Sequence, residues 1–143
     1  MNYQEAANHQ PVSRMNCDAY QDAMLELMKE DQRVVHIDCD LLGCINGQRI
    51  KKVWPDRVIN AGIAEANAMG VACGLSATGI IPYLHTFGVF AGRRMFDQAF
   101  LSSGYSHLPV HVIVRLRVLQ TLLQIGYLHI DDGQFDFEQQ LRH

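Results

Sequence analysis

Val58-Ile59-Asn60-Ala61-Gly62, then Ile63-Ala64-Glu65-Ala66-Asn67-Ala68-Met69-Gly70-Val71-Ala72-Cys73-Gly74-Leu75-Ser76-Ala77, then Thr78-Gly79-Ile80-Ile81-Pro82-Tyr83-Leu84-His85-Thr86-Phe87 form one unbroken stretch of the 143-residue chain. Val58 and Ile59 carry the β-branched signal of a short strand. Ile63 to Ala77 is predicted helical, with small side chains dominating, and Gly79 supplies its C-terminal stop. Ile80 to Phe87 is predicted as the next strand. A strand, a helix and a strand joined by short links form the repeating unit of a parallel sheet.

Working outward, the same alternation continues on both sides. Upstream, Ala19, Tyr20, Ala23, Met24, Leu27 and Met28 recur as one stripe of an amphipathic helix. Val34, Val35 and Ile37 then mark a buried strand over Val34–Asp38. Gly43, Asn46 and Gly47 fall in a polar connection, followed by Ile50 to Trp54 and a Pro55-Asp56 turn. Downstream, Phe90 to Ser102 is predicted as a third helix and Val110–Ile113 as a fourth strand. The fold class expected is α/β, an open parallel sheet with helices on both faces. Residues 1–14 read as a loose arm, residues 15–114 as one domain, and residues 115–143 as a tail of different character.

Composition narrows the function classes. Hydrophobic residues make up 48% and charged residues 19%, enough apolar material for a core. Twelve basic against fifteen acidic residues give a net charge of -3, which does not favour nucleic acid or an anionic membrane. No apolar run approaches the roughly 20 residues that span a bilayer. Met1 to Arg14 lacks the apolar stretch of a secretory signal, so a cytoplasmic protein is expected. Cys17, Cys39, Cys44 and Cys73 form no C-x-x-C pair and no dense framework, and are expected as reduced, mostly buried thiols.

Glu65 stands out, as a plain helix-start charge or as a functional acid. It sits in the predicted first turn of a helix, where the helix dipole favours a carboxylate. No other charge lies between Arg57 and Arg93, so it is an acid alone among apolar and small residues. Such a carboxylate is costly to bury unless something polar meets it. The same helix carries Gly70 and Gly74, each costing roughly 0.5–1 kcal/mol relative to alanine. Close packing on the chain's own sheet and a subunit interface both explain them.

Several ordered motifs resemble one family. Asn60-Ala61-Gly62-Ile63-Ala64-Glu65-Ala66-Asn67 and Gly70-Val71-Ala72-Cys73-Gly74-Leu75 are similar to the helix start of the transketolase pyrimidine domain. Ile81-Pro82-Tyr83 and Thr86 through Gln98 follow at the family's spacing. Asp18-Ala19-Tyr20, Arg33-Val34-Val35, Asp38-Cys39-Asp40-Leu41 and Pro55-Asp56-Arg57 match upstream. The resemblance runs over about residues 14–114 and is strongest to the C-terminal subunit of two-subunit transketolases. Deoxyxylulose-phosphate synthase and the pyruvate dehydrogenase β subunit are more distant.

The resemblance implies thiamine diphosphate held between chains or domains. Glu65 matches the glutamate that hydrogen-bonds the pyrimidine N1′ and favours the tautomer whose 4′ nitrogen takes the proton from C2. Phe87 and Phe90 match the aromatic wall against the aminopyrimidine. Asp40 and Leu41 match residues near the cofactor, and Arg93 or Arg94 is placed to meet cofactor or substrate. His85 matches no family histidine and reads as a partly buried core residue, and His107 and His111 read as loop and strand-edge residues.

The resemblance also implies what lies elsewhere. No Gly-Asp-Gly followed by paired asparagines occurs, so the magnesium and diphosphate contacts are expected on a partner subunit. After Val114 the family's glycine-rich acidic loop and Thr-His element do not follow, which is expected of a truncated or altered ending. The expected function is the pyrimidine-binding part of an enzyme moving a two-carbon ketol unit between sugar phosphates, within a homo- or hetero-oligomer. The alternatives are a non-catalytic remnant or assembly subunit, or a related synthase or dehydrogenase pyrimidine domain.

Overall fold

A computed structural model describes residues 16–115; the expected arm at 1–14 and all but the first residue of the expected tail lie outside them. Strands β1 (Val34–Asp38), β2 (Val58–Asn60), β3 (Ile81–Phe87) and β4 (His111–Arg115) form a four-stranded sheet in the order β2-β1-β3-β4. Every pairing is parallel, with Ile37 opposite both Ile59 and Leu84, and Leu84 opposite Val112. The first two strands lie where the β-branched residues put them.

Helices cover both faces, as the alternation requires. On one face, Val35, Ile37, Cys39 and Leu84 pack with Ala68, Met69, Ala72 and Cys73 of α3 (Glu65–Ala77) and with Ala91, Met95 and Ala99. On the other, Val34 packs with Met24 and Met28 of α1 (Asn16–Glu30) and with Ile50 of α2 (Gln48–Val53). Met24 and Met28 lie one helical turn apart, which brings both onto the sheet. Each such side chain removed from water stabilises the fold by about 1.5–3 kcal/mol. No helix among the described residues is long and apolar enough to cross a membrane.

The helix of small residues resolves into two sides. Ala68 and Ala72 are buried against the sheet, while Gly70 and Gly74 are exposed and a Cβ on either would meet nothing within 4 Å. The glycines therefore serve no close approach inside this chain. The helix begins at Glu65 rather than Ile63, because Gly62 turns the backbone at φ +74 and Ala64 is still non-helical at φ -149. It ends as expected: Gly79 adopts φ +87, Ile80 N–H bonds the Leu75 carbonyl at 3.2 Å, and Gly79 N–H bonds that of Ser76 at 3.0 Å. This is the glycine-terminated Schellman ending.

Three elements depart from expectation. The third helix is not continuous over 90–102 but splits into α4 (Gly88–Arg94), a turn at Phe96–Gln98 and a π-helical stretch, Ala99–Tyr105. A short helix, α2, occupies 48–53 before the Pro55 turn. The fourth strand starts at His111, two residues after Pro109, and runs through Arg115. All four cysteines are free; Cys39 and Cys73 are buried, whereas Cys44 is exposed and Cys17 half-buried.

Candidate functional site

Parallel strands place all their carboxyl ends on one edge, where open α/β sheets bind ligands. Asp38, Asn60 and Phe87 end their strands there, and Glu65 opens α3 just beyond β2. The β2–α3 link is tied by side chains. Asn60 Oδ1 accepts the Gly62 N–H at 2.9 Å, and Asn60 Nδ2 donates to Asp40 Oδ1 at 2.9 Å. Gly62 is required there because its φ of +74 lies in the left-handed region.

Glu65 is only 2% exposed. Thr86 Oγ1 donates to its Oε1 at 3.4 Å, and Arg94 Nη1 donates to Oε2 at 3.0 Å and to Oε1 at 3.3 Å. The same guanidinium lies 3.8 Å from the centre of the Phe90 ring. Phe90 in turn faces Phe87, with ring centroids 6.0 Å apart at 37°. Glu65, Phe87, Phe90 and Arg94 thus make one constellation. Burial pushes the neighbouring Cys39 thiol up to about 11, with the Glu65 and Asp38 carboxylates adding to the rise. That thiol is protonated at neutral pH and is no nucleophile.

Of the paired arginines, Arg94 reaches Glu65, and Arg93 stands exposed in the last turn of α4. Asp40 and Leu41 occupy the adjoining loop after β1. Asp40 adopts φ +63 and accepts from Asn60, while the Leu41 N–H donates to Asp38 Oδ1. Their hydrogen bonds among the described residues run to that loop's own frame, not to Glu65 or the phenylalanines.

Behind this edge lies a polar network that the sequence did not single out. His85 is fully buried, and its Nδ1 donates to Asp38 Oδ2 at 2.8 Å. His36 Nε2 lies 4.0 Å from the same oxygen, and its Nδ1 is hydrogen-bonded to the Tyr20 hydroxyl at 3.0 Å. Burial pushes the His36 imidazole down to about 4; Asp38 opposes the shift and His85 adds to it. Burial, with the charges of Tyr83 and Asp38, pushes the Tyr20 phenol up. Asp38 pairs directly with His85 across β1 and β3, a register that the structure supplies. His107 is exposed at φ +53, and His111 is exposed and stacked on Tyr83 with centroids 4.4 Å apart.

The chain is thus a parallel α/β domain with a buried carboxylate beside an aromatic pair at the carboxyl edge of its sheet. The transketolase pyrimidine binding domain family matches residues 13–119, and the chain belongs to that family. It is 44% identical over 96 residues to the 6-deoxy-6-sulfo-D-fructose transketolase subunit SqwH of Clostridium sp. (strain MSTE9), covering 67% of this chain and 30% of that protein. It is 33% identical over 100 residues to the 1-deoxy-D-xylulose-5-phosphate synthase of Anaeromyxobacter sp. (strain K), covering 70% of this chain and 16% of that one. Among solved structures, a split gene transketolase described as an inactive beta4 tetramer superposes with a TM-score of 0.62 at 41% identity, over 68% of this chain and 32% of its own. The matched region is therefore less than a third of the length of these relatives.

Proposed function

We propose that the chain is the pyrimidine-binding part of a transketolase-type thiamine diphosphate enzyme, transferring a two-carbon ketol unit between sugar phosphates together with a diphosphate-binding partner subunit. One observation carries the reading. The Glu65 carboxylate and the Phe90 face meet around a flat, N–H-bearing group, the Arg94 guanidinium. A site that seats one planar hydrogen-bonding group between a ring and a carboxyl group also suits an aminopyrimidine, whose ring nitrogen shares a proton with that carboxyl while its face lies on the ring.

When bound, the cofactor supplies the carbanion chemistry. The chain's own residues bind and orient. Glu65, fixed by the first turn of α3 and by Thr86, holds the hydrogen bond to the ring nitrogen. Phe87 and Phe90 cover the ring and exclude water. Arg93, Asp40 and Leu41 line the approach, with Asp40 and Leu41 set by the Asn60 and Asp38 hydrogen bonds. Magnesium and diphosphate contacts belong to the partner in this reading.

Assembly is supported by the outer side of α3. Val71 is exposed beside Gly70 and Gly74, and Ile63, Phe96, Phe100 and Leu101 are exposed nearby in sequence and helix packing. Apolar residues grouped on a surface mark interaction sites. That the similar split gene transketolase is inactive as a beta4 tetramer supports dependence on a second kind of subunit.

The test is reconstitution. The chain alone should show no ketol transfer and weak thiamine diphosphate affinity. Adding a diphosphate-binding transketolase subunit should create both, and Phe90→Ala should then weaken cofactor retention. Full transfer rate with Glu65→Gln in the complex would remove Glu65 from catalysis. If no partner restores activity to the wild-type chain, a non-catalytic assembly subunit is the better reading.

A further inference from the structure

Arg94 occupies the place that the proposed function gives to the pyrimidine. Its guanidinium lies 3.8 Å from the Phe90 ring centroid and donates to both Glu65 oxygens, at 3.0 and 3.3 Å. Phe90 and Arg94 are four residues apart on the same short helix, the spacing that lays one side chain over the other. A guanidinium is flat, stacks on aromatic faces and carries its donors at its edge. An aminopyrimidine asks the same two things of a protein, an aromatic face and a carboxylate at its rim. Glu65 presents one buried carboxylate and Phe90 one ring, so both guests cannot be seated together.

We propose that Arg94 and the aminopyrimidine compete for the seat formed by Glu65 and Phe90, so that pyrimidine binding requires Arg94 to swing out. This rests on the pyrimidine-binding reading above. The two partners of the ion pair are unequal in a way that fits exchange. The Arg94 side chain is 44% exposed and the Glu65 side chain 2% exposed. Water receives the departing guanidinium, and a proton taken up from water lies between Glu65 and the incoming ring nitrogen, so that the buried carboxyl group keeps a hydrogen-bond partner. The interactions broken are a half-exposed ion pair and a surface cation–π contact. Both are weak enough to be displaced and strong enough to exclude poorly fitting guests.

The probe is 4-amino-5-hydroxymethyl-2-methylpyrimidine, titrated calorimetrically into the full chain and into its Arg94→Ala and Arg94→Lys variants. Removing the competitor should tighten binding roughly three- to tenfold in Arg94→Ala. Arg94→Lys should fall between, since an ammonium keeps the charge but not the flat stack. Equal or weaker binding by Arg94→Ala, with the wild type still binding, would overturn the competition and leave the pyrimidine seat standing. Absence of binding in all three proteins would sink the seat, and this inference with it. A second readout is independent of affinity: phenylglyoxal should modify Arg94 of the wild-type chain faster at saturating pyrimidine, followed by peptide mass spectrometry. Protection instead of acceleration would show that the arginine stays in place beneath the ligand.

Discussion

Two carboxylates are buried at the same edge of the sheet and held by opposite means. Asp38, 1% exposed, gives its two oxygens to the Leu41 N–H and to His85 Nδ1, both fixed by the fold. Glu65, 2% exposed, gives its oxygens to a long bond from Thr86 and to the side chain of a half-exposed arginine. One acid is locked from within the fold, and the other is held by a group that can leave. Burial alone therefore does not separate a structural from a functional carboxylate. The two differ in the exposure of the partner.

That contrast is broken most sharply by exchanging charge at each position. Glu65→Gln in a reconstituted complex should lower the ketol-transfer rate by about 10²–10⁴-fold, the span of general acid–base contributions. Its urea unfolding free energy should fall by only about 1–3 kcal/mol, because Arg94 turns to water and the buried amide keeps Thr86 as a partner. Asp38→Ala should do the reverse. It leaves His85 and the Leu41 amide facing an empty buried position, at a cost of about 3–5 kcal/mol in the same unfolding experiment. An equal loss of stability at both positions would erase the distinction.

Acid should then single out the locked side. His36 titrates near 6.5 when unfolded and near 4 when folded, so the unfolded chain binds the extra proton between these values. Stability from this group is complete above about pH 6.5 and falls as pH drops toward 4, by up to about 3 kcal/mol. Unfolding curves at pH 7, 6 and 5 should show the loss, and His36→Gln should flatten it. A slope unchanged by that substitution would assign the acid sensitivity elsewhere. The smallest expected effect is Tyr20→Phe, which removes the 3.0 Å bond to His36 and should cost about 1 kcal/mol in denaturation.

Much of the fold was legible because it rests on local pattern. The β-branched runs at 34–38 and 58–60 stand where they were expected, and Gly79 stops α3 by geometry that almost only glycine adopts. The third helix was not legible in detail. The extra residue of a π-turn over Ala99–Tyr105 shifts the apolar period, and Ser102, Ser103 and Gly104 are weak helix formers. At the site, Glu65 was visible as an isolated acid in an apolar stretch. Its ion pair with Arg94 was not foreseen, since Arg93 or Arg94 was expected to meet cofactor or substrate, and which of two adjacent residues turns inward depends on the turn of α4. The Asp38–His85 pair depended on strand register, which is long-range and not written in either segment.

The bare outer side of α3 has a consequence for how this chain stands by itself. Gly70 and Gly74 lie in a helix interior where a methyl group would touch nothing within 4 Å. Alanine at both places would raise helix propensity by roughly 1–2 kcal/mol in all without crowding any neighbour. A chain shaped only by its own folding would carry those methyl groups. The isolated subunit is thus poised below its own thermodynamic optimum, and the shortfall is concentrated on the helix whose first residue is Glu65.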